Sequence, residues 1–263
     1  MTQQIEMPEF GISRKDLRRL QCRLLEIAVA ARDVLEGHDI PYMIAYGTLL
    51  GAVRHGGFVP WDADLDFFLF DDTYDSAIDL LRGELPDGMF LEDATTEPKY
   101  FHAWAHIKDL RSECTGRNNP PGDSYEHRGI QMDLYRSKRL KRGELDAYLI
   151  QENHAYIQRR KDVGLMSNDE YIRRMKSADM CTWESDEDSD TVGYTMIIPY
   201  KSRFMSEREA FPLKRYRFEG YEFWGPNSAD SILRGIYGDY MSYPPLEKRI
   251  PAIEKVRFLG DVL

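Results

Sequence analysis

Residues 46–66 bring together a Gly-Thr pair (Gly47, Thr48), one arginine (Arg54) and three carboxylates (Asp62, Asp64, Asp66). A small polar turn entering a helix offers backbone N–H groups to a phosphate. Asp64 and Asp66 open the run Asp64-Leu65-Asp66-Phe67-Phe68-Leu69-Phe70. Alternate strand residues share a face, so the two acids are expected to point the same way, roughly 6–7 Å apart along the strand. Paired carboxylates beside a phosphate cradle suit Mg²⁺ or Mn²⁺, which take hard oxygen ligands. An isolated Asp-x-Asp more often marks a strand leaving the core for solvent. Here the run continues into wholly apolar residues, the pattern of a buried central strand. Acids at the mouth of such a strand are costly without partners. A Mg²⁺-nucleotide site is the reading that follows.

The elements that must position these groups alternate between helix and strand. Ser13 is placed to cap a helix over 13–36, with Leu17, Leu20, Leu24, Ile27, Ala28, Ala31 and Leu35 at three-to-four spacing. Gly37 ends it. A short strand over 42–46 delivers Gly47-Thr48, a helix over 49–54 follows, and Gly56-Gly57 breaks it. The acid strand covers 64–70 and precedes a helix over 73–83. Residues 100–109 alternate as a strand, 118–123 form a loop, and 129–135 form another strand. Helices are predicted over 142–160, 168–178 and 228–237, the last with Gly238 as its C′ residue. The fold class is α/β (α+β), as one catalytic domain spanning 1–263 with helical elaborations and no internal repeat.

The run from Gly47 to His55, then Gly57-Phe58-Val59-Pro60-Trp61-Asp62 and Asp64-x-Asp66, resembles the signature of the LicD family. These are phosphotransferases of the nucleotidyltransferase superfamily, with fukutin and fukutin-related protein as distant members. Gly129-Ile130-Gln131-Met132-Asp133-Leu134-Tyr135 is similar to the later family strand that presents a third acid. Phe218-Glu219-Gly220, Pro226, Leu233, Tyr237-Gly238-Asp239-Tyr240-Met241 and Pro244-Pro245 resemble the closing block. The resemblance spans about residues 40–245 and is thin between 140 and 200. Two positions depart from the pattern. Ala63 replaces the middle acid of a usual run of three, on the strand face turned away from Asp62, Asp64 and Asp66. Tyr135 stands where phenylalanine is common. The resemblance implies a nucleotidyltransferase-like fold, a small mixed sheet flanked by helices. It also implies a donor of the CDP-choline, CDP-ribitol or CDP-glycerol class.

Composition bounds the function. The chain has 263 residues, 42% hydrophobic and 30% charged, as in an ordinary globule. A net charge of −10 argues against nonspecific nucleic-acid binding. No apolar run approaches a bilayer span, and the N-terminus lacks a signal peptide's basic and apolar regions. Three scattered cysteines (Cys22, Cys114, Cys181) match no zinc or disulfide framework and read as reduced thiols in a cytoplasmic protein. Peripheral membrane contact remains open if the acceptor is a lipid-linked saccharide. The acidic run over 184–190 reads as a solvated loop.

Each candidate carries a structural alternative. Gly47 and Thr48 are expected to contact a donor phosphate, though a bare strand-to-helix turn looks the same. Arg54 is a candidate phosphate clamp or a helix-end residue. Lys108 and Arg111, after the 100–109 strand, could meet a nucleotide's phosphates. Asp62 either joins the acid cluster or caps the turn after Trp61. Asp133 could lie on the solvent face of an edge strand; the resemblance favours a third carboxylate, as metal ligand or as general base. His102 and His106 share a strand face, His55 reads as structural, and Arg234 as a salt-bridged helix residue. The expected reaction is Mg²⁺-dependent transfer of a phospho-alcohol to a glycan hydroxyl with release of CMP, through Asp64, Asp66 and Asp133. The alternatives are NMP transfer from an NTP to a small acceptor, and a non-catalytic nucleotide-binding protein.

Overall fold

The structure, a computed structural model, describes residues 11–116, 125–180, 188–198 and 201–259. Helix α1 (Arg14–Gly37) starts where its sequence asks. The Ser13 hydroxyl accepts from the Asp16 N–H at 3.0 Å, and the apolar stripe from Leu17 to Leu35 is buried. There follow β1 (Tyr42–Ile44), α2 (Tyr46–His55), β2 (Asp66–Phe70), α3 (Tyr74–Glu84), β3 (Met89–Glu92), β4 (Ala105–Asp109), β5 (Ser112–Gly116), β6 (Gln131–Ser137) and β7 (Arg139–Lys141). Next come α4 (Leu145–Asp162), α5 (Asn168–Asp179), β8 (Val192–Ile198), β9 (Lys201–Ser206) and α6 (Glu207–Ala210). The chain then forms β10 (Lys214–Phe218), β11 (Tyr221–Gly225), α7 (Ala229–Tyr237) and β12 (Ile253–Phe258).

The central sheet has the order β1-β2-β6-β4-β3. Strands β2 and β6 run parallel and the other pairs antiparallel, so the sheet is mixed, as the α+β reading requires. All five residues of β2 are buried, which is why it reads as an unbroken apolar run after Asp66. Helix α1 packs on α3 and across β6 and β4. The parallel register sets Asp66 beside Asp133, and the antiparallel register sets His106 on the other flank of Asp133. Smaller sheets, β10-β11, β5-β12 and β7-β8-β9, surround this core.

Several boundaries differ from the sequence reading, and three of them bear on the central sheet. Strand β2 begins at Asp66 rather than at 64, and β1 ends at Ile44 rather than at 46. The Asp66 N–H donates to Thr48 Oγ1 at 2.9 Å, and its carbonyl accepts from the Ala45 N–H at 3.1 Å. Asp64 therefore belongs to the loop that climbs to the sheet. Strand β4 begins at Ala105 rather than at 100, because Tyr100 donates to its own segment at Trp104 O (2.5 Å). The predicted loop over 118–123, Cys181, Trp183 and the first residues of the acidic run lie outside the described residues. Cys22 is an exposed thiol and Cys114 a buried one, and neither is in a disulfide among the described residues. Among the described residues no helix is long and apolar enough to cross a membrane.

Candidate active site

Gly47 and Thr48 are the second and third residues of α2, inside its first turn rather than before it. The helix enters through Tyr46 at φ 42°, a left-handed conformation that a bulky residue holds only when its surroundings enforce it. Tyr46 is pinned by its ring contacts with Phe68 (5.2 Å) and Tyr135 (5.7 Å). Leu49 N–H closes the first turn on Ala45 O, so the Gly47 and Thr48 N–H groups precede the helical ladder. A Cβ on residue 47 would lie 2.5 Å from Asp62 Oδ2, so only glycine admits this close approach. Thr48 is buried, and its hydroxyl is spent on the Asp66 N–H, so its side chain positions the acid strand.

A cavity of about 480 Å³ opens above this turn. Asp62, Asp64 and Asp66 all line it, together with Gly47 and Arg54. Asp62 thus joins the acid group. The loop carrying it is held from beneath by Gln21, buried on α1, whose Nε2 donates to Asp62 O at 2.9 Å. Ala63 is buried in the apolar core, but it lies in the loop before β2, so the strand alternation expected of it does not apply. Trp61, Tyr237 and Tyr243 line it as well, Tyr237 close enough for the charges of Asp66, Asp62 and Asp64 to act on its phenol.

Asp133 is held from three sides. It accepts from Tyr135 Oη at 3.0 Å and Gln131 Nε2 at 3.3 Å, and His106 Nε2 lies 3.2 Å from its Oδ1. Behind it, Glu92 Oε2 lies 3.5 Å from His106 Nδ1 and 3.3 Å from Lys108 Nζ, which also donates to Gln131 Oε1 at 2.6 Å. Lys108 is thus a buried counter-ion behind Asp133 and does not line the acidic cavity. Arg111 lies beside Asp109 (3.8 Å) and Gly88, away from that cavity. The sequence placed both on the donor's phosphates; the strand register turns them elsewhere. Arg54 does line the cavity. Its Nη1 donates to Tyr240 O at 2.6 Å, its Nε to His55 Nε2 at 2.9 Å, and it stacks 5.0 Å from the Tyr243 ring, so it fastens the C-terminal segment over the site. His102 lies outside β4, yet its ring still meets that of His106 at 4.8 Å. Arg234 pairs with Asp230 on the surface.

Electrostatically the acids are crowded. Burial, reinforced by neighbouring carboxylates, pushes Asp62 and Asp66 well above the usual carboxylate range; burial also raises Asp64. Asp133 is pushed up to about 7 by burial first and Asp64 second. Burial holds His102 and His106 well below the ordinary histidine value, hence neutral. Mutually repelling buried carboxylates ask for a cation. Among the described residues no three His, Cys, Asp or Glu side chains are arranged to enclose one.

Sequence reasoning missed Gln21, Trp61, Tyr237 and Tyr243. The aromatics carried no spacing signal beyond membership in the motif and closing block, because they come from separate loops and α7. Gln21 was hidden as one polar residue on an apolar helix face.

A profile of the LicD/FKTN/FKRP nucleotidyltransferase domain matches residues 39–112, which include the first turn of α2, the three acids of its loop and β4. The chain is 25% identical to the lipopolysaccharide cholinephosphotransferase LicD of Haemophilus influenzae, over 89% of this chain and 95% of that protein. It is 22% identical to the uncharacterized protein RP689 of Rickettsia prowazekii, over 84% of this chain and 56% of that protein.

Proposed function

Because the chain is a member of the LicD family, we propose that it transfers a phospho-alcohol, of the phosphocholine type, from a CDP-linked donor to a saccharide hydroxyl at the cell surface, releasing CMP. The observation that carries this reading is one cavity lined by the α2 first turn, three carboxylates of the segment that follows α2, and Trp61, Tyr237 and Tyr243. The N–H groups of Gly47 and Thr48, at the positive end of α2, suit donor phosphate oxygens. Tyr237, beside Asp66, Asp62 and Asp64, suits a quaternary ammonium head group, which favours choline over an uncharged alcohol.

Mg²⁺ or Mn²⁺ would be held by Asp64 and Asp66, which line the cavity, and would supply neutralisation of donor phosphate charge. The chain's own residues do the rest. Asp133, raised to about 7, suits a general base near neutral pH. The Tyr135 hydroxyl and neutral His106 orient its carboxylate. The acceptor oxygen forms a bond to the phosphorus that carries the alcohol, its proton passes to Asp133, and the bond to the CMP oxygen breaks. Arg54 and Tyr243 close the cavity mouth and limit water, the competing acceptor.

The test is donor binding followed by thermal unfolding. CDP-choline with Mg²⁺ at a hundredfold its Kd should stabilise the protein by about 2.7 kcal/mol, roughly 5–10 °C. Asp64→Asn and Asp66→Asn should fold yet lose that Mg²⁺-dependent shift. A response to nucleoside triphosphates alone would favour NMP transfer instead.

A further inference from the structure

Tyr135 belongs to two cavities. Besides the acidic one, it lines a second of about 250 Å³, short of the roughly 300–1,000 Å³ of sites for drug-sized ligands and therefore suited to a single small ring. One wall is a face of α4, where Tyr148, Glu152, Tyr156 and Arg159 recur at steps of four, four and three. The other wall is Trp104, whose ring lies 4.8 Å from that of Tyr135, with Arg136 beside it.

The two cavities differ in charge. The first is lined by four carboxylates and one guanidinium, the second by two guanidiniums and one carboxylate. Arg136 is already matched by Asp71 (2.5 Å) and Asp75 (3.1 Å). Arg159 is not. Its Nε donates to Phe101 O at 3.0 Å, no carboxylate among the described residues pairs with it, and its Nη2 is buried without a hydrogen-bond partner. Trp104 Nε1 is likewise a buried donor without a partner. Such groups cost free energy unless something satisfies them. Aromatic faces suit the C–H face of a sugar, Glu152 and Asn153 suit its hydroxyls, and Arg159 suits an anion.

We propose that this second cavity is an acceptor subsite, holding one sugar ring that bears a carboxylate or phosphate, with its reacting hydroxyl passing Tyr135 toward Asp133. The proposal rests on the transferase reading for its meaning but not for its test. Tyr135, which lines both cavities, donates its hydroxyl proton to Asp133 at 3.0 Å.

The experiment is a donor-free titration of the full chain with methyl glucoside, glucuronate, glucose 6-phosphate and inorganic phosphate, read by calorimetry and by tryptophan fluorescence. The two anionic sugars should bind at least tenfold more tightly than methyl glucoside and than phosphate alone. Arg159→Gln should abolish that preference, Arg159→Lys should restore part of it, and Trp104→Phe should remove the fluorescence change. Tyr148→Ala, on the more open side of α4, should weaken all three sugars, and Asp66→Asn should weaken none. Binding of phosphate as tight as that of the sugars, no saturable binding of any sugar, or binding indifferent to both Arg159→Gln and Tyr148→Ala would overturn the assignment. If CMP release fails while Arg159-dependent sugar binding persists, the transferase reading falls and the cavity stands. If transfer proceeds but Arg159→Gln changes neither sugar binding nor inhibition of transfer by free sugar, the cavity assignment falls alone.

Discussion

Replacing Asp133 by asparagine should make the metal-free protein more stable at pH 8 while destroying its activity. Asp133 is raised to about 7 in the folded chain from an ordinary 3.8, by burial and by the Asp64 charge. A carboxyl whose folded value is raised stabilises the fold below its unfolded value, and that contribution is lost as pH climbs to the folded value. The loss therefore runs from about pH 4 to about pH 7. Between pH 5 and pH 8 this one group weakens the fold by about 2–3 kcal/mol, or roughly 5–10 °C in Tm. His102 and His106 pull the other way, because the unfolded chain takes up their protons below about pH 6.5. The informative quantity is thus the difference between wild type and Asp133→Asn, measured by urea unfolding in chelator at pH 5, 6.5 and 8. That difference should grow toward pH 8 in favour of the variant. A variant less stable than wild type at pH 8, or a difference flat with pH, would refute the picture of a frustrated acid cluster.

Further outcomes follow from single contacts. Thr48→Val keeps the shape but leaves the buried Asp66 N–H unpaired, costing about 1–3 kcal/mol in denaturant unfolding, whereas Thr48→Ser should stay near wild type. Gly47→Ala drives a methyl group into Asp62 Oδ2; kcat/KM for the donor should fall by tenfold or more, beyond what any fall in Tm explains. Gln21→Leu removes the donor to Asp62 O and should lower kcat while unfolding by circular dichroism shows a loss of about 1–2 kcal/mol.

Much of the site was legible because its chemistry is local in sequence. Gly47, Asp62, Asp64 and Asp66 sit within one motif, and the apolar run after Asp66 announced a buried strand. Asp133 was picked out by the resemblance, since alternation with Gln131 and Tyr135 fitted a solvent-facing edge strand equally well; those two residues hydrogen-bond to it. What failed depended on pairing between distant strands. Lys108 looked like a phosphate ligand until the register of β4 on β6 turned it to Glu92 and Gln131. Arg54 was placed at the cavity, but its bond to Tyr240 O joins residues 186 apart in sequence, a distance no local pattern reports. The strand expected over 100–109 lost its first half to the Tyr100–Trp104 hydrogen bond. Strands β7, β10 and β11 escaped because they are short and half-exposed, with weak alternation.

The most direct test of the account follows the phosphorus. Purified protein, Mg²⁺, CDP-choline and a saccharide acceptor would be observed by ³¹P NMR over time. The account predicts CMP and a new phosphodiester resonance appearing in equal amounts, with neither formed by Asp66→Asn. Release of pyrophosphate from a nucleoside triphosphate, with CDP-choline left intact, would contradict it.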